Sequence, residues 1–300
     1  MSIIVEQLTK TYSAQNAVNQ VSFTAHKGEV LGFLGPNGAG KTTTMKILTC
    51  FIPQTSGTAK VCGFDTRAQA MQVRERIGYL PEHNPLYKDM YVKEYLTFVA
   101  SLHRLPNAQA KVKEMIERTG LGVEQNKLIS ALSKGYRQRV GLAQAMIHNP
   151  EVLILDEPTT GLDPNQLVDI RRLILEIAAE KTVILSTHIM QEVEALCNRV
   201  VIINNGELVA NDTIDELRSR TKGETMVTVE FVEKTNENSL NTIVGVKTAK
   251  NIGGNRWLLR ADTDIRPAIS AFAQANGLTL VEMHREQTSV QDVFQALTQS

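Results

Sequence analysis

The segment from residue 35 to residue 42 constrains the fold of this 300-residue chain more than any other feature. It reads Gly-Pro-Asn-Gly-Ala-Gly-Lys-Thr and fits the phosphate-binding pattern Gly-x-x-x-x-Gly-Lys-Ser/Thr. The apolar run Glu29–Leu34 before it predicts a buried strand, and Thr42–Leu48 after it predicts a helix. Glycines let successive backbone N–H groups turn inward around an anion, and the helix presents its positive end to the same anion. The segment therefore predicts an α/β fold that binds a nucleoside triphosphate.

The residues of this loop have distinct expected roles. Lys41 would add a mobile positive charge for the outer phosphates, and the hydroxyl of Thr42 can bind Mg²⁺. The other residues predicted to contact the nucleotide here are Gly35, Pro36, Asn37, Gly38, Ala39, Gly40 and Thr43. ATP and Mg²⁺ are therefore the expected cofactors.

A second buried strand, predicted at Val152–Leu155, is followed by two acidic residues. Asp156 would emerge at the carboxyl end of that strand, where ligands bind in open α/β sheets, and can contribute to the Mg²⁺ shell. Glu157 is one residue further and can polarise a water for attack on the γ-phosphate. An isolated Asp-Glu pair after a strand is more often a solvated turn. Together with the phosphate loop, the pair indicates the second half of an ATP site.

Composition limits the partners of the chain. Its 32 basic and 32 acidic side chains give a net charge of zero, which does not support a broad binding surface for nucleic acid or acidic lipid. No apolar run approaches the roughly 18 residues of a membrane span, and the first residues lack the pattern of a signal peptide. Cys50, Cys62 and Cys197 are scattered and are interpreted as small core residues in a reducing cytosol. We therefore expect a cytoplasmic protein that binds no nucleic acid and inserts no segment into lipid.

The order of predicted elements indicates two domains. Strands and helices alternate over residues 1–220, which predicts a doubly wound, mostly parallel sheet with an antiparallel side sheet near its start. Residues from about 85 to 150 contain only helical patterns and predict a helical subdomain. A polar linker is predicted at 218–224, and residues 222–300 predict a small α+β domain resembling a split βαβ unit. Its last helix is predicted to begin at Ser289.

The segment Leu132–Arg139 resembles the Leu-Ser-Gly-Gly-Gln signature of ATP-binding-cassette (ABC) ATPases. Lys134 and Tyr136 depart from that signature, whereas Ser133 and Gly135 are kept. The resemblance implies that the two kept residues contact the γ-phosphate of an ATP held by a second subunit, so that two chains close around two ATP molecules. Taken alone, the segment could be just a capped helix. In order with the other motifs, it indicates this family and its P-loop ABC ATPase fold.

The same resemblance implies roles for four further residues. Tyr12 matches the aromatic residue on which adenine stacks, although a half-buried edge tyrosine is the alternative. His188 matches the switch histidine that senses the γ-phosphate, although a lone histidine at a strand end is usually structural. Asp163 ends a Gly-Leu-Asp segment resembling the loop that faces the partner across the dimer. Glu82 stands where many cassettes have Gln, and its carboxylate could still reach the Mg²⁺ shell.

The resemblance also implies a function. Members of the family hydrolyse ATP to drive transport through an integral membrane permease, and they sit at the inner face of the cell membrane. The loop at 78–91 and the C-terminal domain are most similar to exporters that include gliding-motility systems. The alternative is a soluble ABC ATPase acting on ribosomes or DNA, but this chain has a single cassette, no coiled coil and no basic excess. A non-hydrolysing regulatory cassette is disfavoured by the presence of the four residues expected to act in hydrolysis, Lys41, Asp156, Glu157 and His188.

Overall fold

Contacts within the chain divide it into two units, Met1–Thr213 and Ile214–Ser300. The computed structural model describes residues 1–220 and 225–286, together with residues 291, 293, 294 and 297. The sequence interpretation ended the first domain at residue 220, but the large sheet of the first unit is already complete at Thr213. Residues 218–220, predicted to belong to a linker, instead complete a helix, α8 (Ile214–Arg220). The rest of that linker and Ser289 lie outside the described residues.

Two sheets and a group of helices make up the first unit. Its strands are β1 (Ile3–Tyr12), β2 (Gln15–Ala25), β3 (Val30–Leu34), β4 (Ser56–Val61), β5 (Phe64–Asp65), β6 (Ile77–Leu80), β7 (Val152–Asp156), β8 (Thr182–Thr187), β9 (Arg199–Asn204) and β10 (Glu207–Thr213). Its helices are α1 (Lys41–Leu48), α2 (Ala70–Arg74), α3 (Val92–Leu102), α4 (Ala108–Arg118), α5 (Lys134–Met146), α6 (Pro164–Ala178) and α7 (Met190–Leu196), and a short 3₁₀ turn covers Ile129–Ala131. None of the helices in the described parts of the chain is both long and apolar enough to cross a bilayer.

The larger sheet has six strands in the order β10-β9-β3-β8-β7-β6. Adjacent strands from β9 to β6 pair in parallel, and only β10 is antiparallel to its neighbour. Every residue of β3, β7 and β8 is buried, as expected for parallel strands covered on both faces. The carboxyl ends of β3, β6, β7 and β8 consequently meet at one edge of the sheet.

The smaller sheet of the first unit is antiparallel and has the order β2-β1-β4-β5. It shares a hydrophobic core with one face of the larger sheet, to which Phe23 contributes from β2 and Phe33 from β3, with ring centroids 5.4 Å apart. Helices α3, α4 and α5 fill residues 85–150, where strand pairing is limited to an isolated bridge between Tyr91 and Leu128. The predicted fold class, a mixed sheet core with an antiparallel side sheet and a helical subdomain, is confirmed.

The second unit is built on its own antiparallel sheet. Its described elements after α8 are β11 (Thr225–Phe231), α9 (Glu237–Leu240), β12 (Val246–Gly253), β13 (Arg256–Ala261), α10 (Arg266–Ala275) and β14 (Leu280–Glu286). The sheet order β12-β13-β11-β14 is that of a split βαβ unit, as predicted. Val229 and Phe231 of β11 and Trp257 of β13 are buried in a core that includes Ile269 of α10.

Gly78 of β6 lies directly against α5. A Cβ atom at this position would lie 2.1 Å from the main-chain oxygen of Ala145 in α5. That distance is far below van der Waals contact, and the obstructing atom belongs to a helix backbone that cannot rotate away. Glycine at residue 78 therefore allows α5 and β6 to approach each other at this distance.

Replacing Gly78 with alanine is expected to lower the free energy of unfolding of the first unit by about 1–3 kcal/mol, the usual cost of overpacking a core. Gly122→Ala is the matched control, because a Cβ at Gly122 would meet nothing within 4 Å and its φ is not positive. The control should unfold at the same urea concentration as wild type or slightly above it, since alanine restricts the unfolded chain. Equal urea midpoints for the two variants would contradict the packing argument.

Candidate active site

The loop between β3 and α1 folds tightly over its own backbone. Gly40 precedes α1 with a φ of 106°, and a Cβ there would lie 2.3 Å from the main-chain oxygen of Ala17. Lys41 is only 7% exposed, and its ammonium donates to the carbonyls of Gly35 at 2.7 Å and Pro36 at 3.2 Å. The lysine side chain therefore crosses back over the loop, and its charge is held at the centre of the loop.

Buried carboxylates lie close to this lysine. Burial lowers the pKa of the Lys41 ammonium, and the charges of Glu157 and Asp156 oppose part of that shift. Asp156 ends β7 and is 1% exposed, and its Oδ1 accepts a hydrogen bond from Ser186 Oγ in β8. Burial raises the pKa of Asp156, whereas hydrogen bonds from Ser186 and Thr42 act in the opposite direction. The site thus holds opposite charges in an interior where each supports the ionised form of the other.

Glu157 is held in an unusual backbone conformation. Its φ of 51° lies in the left-handed region, which is uncommon for a residue other than glycine. Its N–H donates to the main-chain oxygen of Ser186 at 3.1 Å. Its Oε1 lies 2.8 Å from Nδ1 of His188, and its Oε2 accepts a hydrogen bond from Thr160 at 3.0 Å. Backbone strain of this kind is characteristic of functional sites, where surrounding contacts hold one side chain in place.

These groups surround a single cavity of about 320 Å³. Its lining residues are Ala17, Asn37, Gly38, Ala39, Gly40, Lys41, Thr42, Thr43, Glu82, Glu157 and His188. Glu82 follows β6 and is exposed on the cavity, while the half-exposed His188 follows β8. The structure therefore brings the phosphate-loop residues, Glu82, Glu157 and His188 together, with Asp156 hydrogen-bonded to the Thr42 side chain.

Two contributors to the site were not identified in the sequence analysis. Ser186 is paired in register with Asp156, its hydroxyl donates to Asp156, and its carbonyl accepts the N–H of Glu157. A polar residue near the end of an otherwise apolar strand was the available signal. Ala17 lines the cavity from β2, but an alanine carries no chemistry that a sequence pattern could reveal.

Seven predicted site residues do not line this cavity. Three of them, Gly35, Pro36 and Asp156, contact Lys41 or Thr42, which do line it. The other four are Tyr12, Ser133, Asp163 and Gly135. Tyr12 ends β1 and is 49% exposed, with the Lys10 ammonium 5.2 Å from its ring centroid. Ser133 caps α5 by accepting a hydrogen bond from the Tyr136 N–H at 3.4 Å. Asp163 caps α6 in the same manner. The fourth residue, Gly135, is buried in the first turn of α5.

The oxygen atoms at this site fit a Mg²⁺ ion shared with phosphates. Mg²⁺ prefers oxygen ligands and is usually bound through one or two carboxylates together with substrate phosphates. Thr42 and Asp156 supply a hydroxyl and a carboxylate that share a hydrogen bond. Within the described residues, no three His, Cys, Asp or Glu side chains are grouped so that they could hold a metal by themselves. Thr42 and Asp156 would share the Mg²⁺ ion with the phosphates of a nucleotide.

Comparison with known proteins decides the family. The ABC transporter family model matches residues 18–160. The linearmycin resistance ATP-binding protein LnrL of Bacillus subtilis (strain 168) is 32% identical, and the alignment covers 98% of this chain and 97% of LnrL. This chain belongs to the ATP-binding subunits of ABC transporters. As a member of the ABC ATPase cassettes, the subunit binds and hydrolyses ATP.

Two solved structures agree with this assignment. An ATP-binding subunit of an ABC transporter matches the ABC subunit described here with a TM-score of 0.68 and 29% identity, covering 73% of this chain and 93% of that chain. The dimeric structure of MJ0796, a bacterial ABC transporter cassette, matches with a TM-score of 0.65 and 23% identity, covering 70% of this chain and 98% of that chain. At 23% identity, the match to MJ0796 shows only that the two proteins share a fold. Both cover less of this chain than LnrL does.

Removing the buried lysine charge is expected to weaken nucleotide binding. We expect Lys41→Met to raise the Kd for a fluorescent ATP analogue by about 10- to 100-fold, in line with the loss of a charge-assisted hydrogen bond worth about 1.5–3 kcal/mol. Lys46→Met is the control, because Lys46 lies at the opposite end of the same helix. A Kd within threefold of wild type for both variants would show that Lys41 does not contact the phosphates.

Proposed function

We propose that this ABC subunit powers export by hydrolysing Mg-ATP at the interface of two cassettes, and that a separate membrane permease carries the cargo. The observation that carries the proposal is the cavity in which Lys41, Glu157 and His188 converge. That arrangement provides a cation for phosphates, a carboxylate for a water and a histidine beside the carboxylate. Its location at the carboxyl edge of a parallel sheet is typical of nucleotide sites.

Binding of ATP is assigned to the loop from Gly35 to Thr43. Its main-chain N–H groups and the start of α1 would receive the phosphates, and Lys41 would release its loop carbonyls to contact the outer ones. Thr42 and Asp156 would hold Mg²⁺, which neutralises phosphate charge when it is bound. Glu82 would complete the same shell from the end of β6. Tyr12 would stack on the adenine from outside the cavity.

Catalysis is assigned to Glu157. Its carboxylate would accept a proton from the water that attacks the γ-phosphate in line with the leaving oxygen. Thr160 and His188 each hold one carboxylate oxygen, so the carboxylate plane is fixed before the water arrives. His188 is half-exposed to the cavity, and it would also contact the γ-phosphate. The left-handed backbone at Glu157 is the cost of aiming the carboxylate into the cavity.

The second cassette is assigned to a copy of this chain or a close homologue. Ser133, Gly135 and Asp163 lie outside the cavity of their own chain. Ser133 opens α5, so it stands at the positive end of a helix, where a phosphate held by another subunit would be stabilised. Asp163, which opens α6, would face the partner chain. MJ0796, which shares the fold, is a dimer. Two chains would then enclose two ATP molecules between them.

The permease contact is assigned to the loop from Pro81 to Tyr91 in the first unit. Tyr87 and Tyr91 are 56% and 51% exposed, and Tyr87 packs edge-on against Tyr95 of α3. The loop therefore presents anchored aromatic rings at the surface, which suits a protein interface. A cytoplasmic cassette bound in this way would lie at the inner face of the cell membrane.

Export is favoured by the similarity to LnrL, a linearmycin resistance protein, over nearly the whole of both chains. That alignment includes the second unit. We propose that residues 222–300, the greater part of this unit, form an accessory α+β domain that follows the ATPase domain. The narrower likeness to gliding-motility systems stays a prediction from the sequence.

The general-base assignment is tested by Glu157→Gln. The amide cannot accept the proton of water but keeps the size of the side chain, so kcat should fall by about 10²–10⁴ while ATP still binds. Phosphate release and the Kd for ATP are measured on the same preparation. Turnover within threefold of wild type would rule out this role for Glu157.

The two-chain site predicts an association that depends on nucleotide. Glu157→Gln should sediment as a dimer with Mg-ATP and as a monomer without it, because slow hydrolysis traps the closed state. Adding Ser133→Arg should abolish the dimer, since a bulky cation then stands where a hydroxyl faces the partner. Lys111→Arg, a surface change on α4, is the control and should leave the dimer intact. A monomer under both conditions, with wild-type hydrolysis intact, would contradict the two-chain site.

A further inference from the structure

Helix α7 begins two residues after His188, which lines the ATP site, and helix α6 packs against α7. Asp163 caps α6, and α7 begins at Met190, shortly after His188. An ion pair joins the two helices away from the cavity. Its members are Arg171 of α6 and Glu192 of α7, neither of which lines the cavity.

The ion pair has the geometry of a strong interaction. Arg171 Nε lies 3.2 Å from Glu192 Oε2, and a terminal nitrogen of the same guanidinium lies 2.5 Å from Oε1. The two parallel hydrogen bonds match the planar fork of arginine to the carboxylate. Glu192 is 1% exposed, so its charge is removed from water and depends on this partner. Removing one member of a buried pair leaves the other without compensation.

Helix α7 needs such an anchor because it is short. It has seven residues, far fewer than an isolated helix requires in water. Its first turn is also held through Ile189: the Ile189 carbonyl accepts the N–H groups of Glu192 at 3.1 Å and Val193 at 3.4 Å, and the Ile189 N–H donates to Thr187 Oγ1 at 3.0 Å. Apolar packing of Val193 and Leu196 fixes the depth of the helix in the core. The carboxylate of Glu192 adds a directional constraint through its two hydrogen bonds to Arg171.

The position of this first turn sets the position of His188. The histidine leaves β8 immediately before the turn, and its Nδ1 lies 2.8 Å from Glu157 Oε1. A shift of α7 by a fraction of an ångström would lengthen that hydrogen bond. We propose that Arg171 and Glu192 are positioning residues that hold His188 against the Glu157 carboxylate during hydrolysis. This inference rests on the proposed role of Glu157 and His188 in catalysis.

A double-mutant cycle tests the inference. Arg171→Met should lower kcat for ATP hydrolysis by about 10- to 100-fold, the effect expected of a misplaced catalytic group, with KM within threefold. In a His188→Ala background the same change should cost less than threefold, because residues that act through one another are not additive. For variants whose steady-state hydrolysis is too slow to measure, phosphate release is followed in a single turnover with protein in excess over ATP. Arg171→Lys should have a higher kcat than Arg171→Met, because lysine keeps the positive charge. Its kcat should stay below that of wild type, because lysine lacks the planar guanidinium that makes two parallel hydrogen bonds.

The neighbouring Arg172→Met is the matched control. Arg172 lies on the same helix with its side chain 73% exposed and longer ion-pair distances, so its loss should leave kcat unchanged. If Arg171→Met does not fold, Glu192→Gln and Arg171→Lys enter the same cycle. Wild-type kcat in the folded Arg171 variants, or an equal loss with and without His188, would overturn the inference. Glu157→Gln distinguishes failure of the positioning role from failure of the proposed catalytic role. Wild-type turnover in that variant would refute the catalytic role of Glu157 itself.

Discussion

The nucleotide site depends on the parallel register of strands in the larger sheet. Leu34 of β3 pairs with Thr187 of β8, and Ser186 of β8 pairs with Asp156 of β7. Because these ends align, the phosphate loop, His188 and the two acidic residues all lie at the same level of the sheet. A slip of one register position would move one strand end by about 3.3 Å relative to its neighbours. The register of the apolar strands therefore fixes the relative positions of the polar residues in the site.

Through Ser186, the strand register positions the two acidic residues of the site. Its hydroxyl donates to Asp156 and its carbonyl accepts the N–H of Glu157, so one residue of β8 holds both acidic neighbours. The second contact stabilises the left-handed conformation of Glu157. A charged carboxylate buried beside Lys41 would be unfavourable without such partners, since burial disfavours ionised groups. The site is thus polar but fully supported by its surroundings.

Much of this arrangement could be predicted from the sequence because the key residues lie in short contiguous motifs. The loop ending in Lys41 and the pair Asp156 and Glu157 each follow an apolar run, and the strand bounds follow from hydrophobicity. Ser186, Ala17 and the pair of Arg171 with Glu192 depend on pairing between distant segments, so no local pattern marks them. Residues 218–220 were interpreted as part of a linker although they complete α8, because a charged helix and a linker have similar compositions.

The central place of β3 in the sheet has a consequence for how the protein is made. Its neighbours, β8 and β9, end at Thr187 and Asn204, far along the chain from the loop that follows β3. During synthesis, the phosphate loop therefore emerges from the ribosome long before the strands that will flank it. Non-local pairing of this kind slows folding and leaves apolar edges exposed for longer. Both strands that flank β3 are present only after Asn204 has been translated, which is many seconds after the phosphate loop at about 5–20 residues per second.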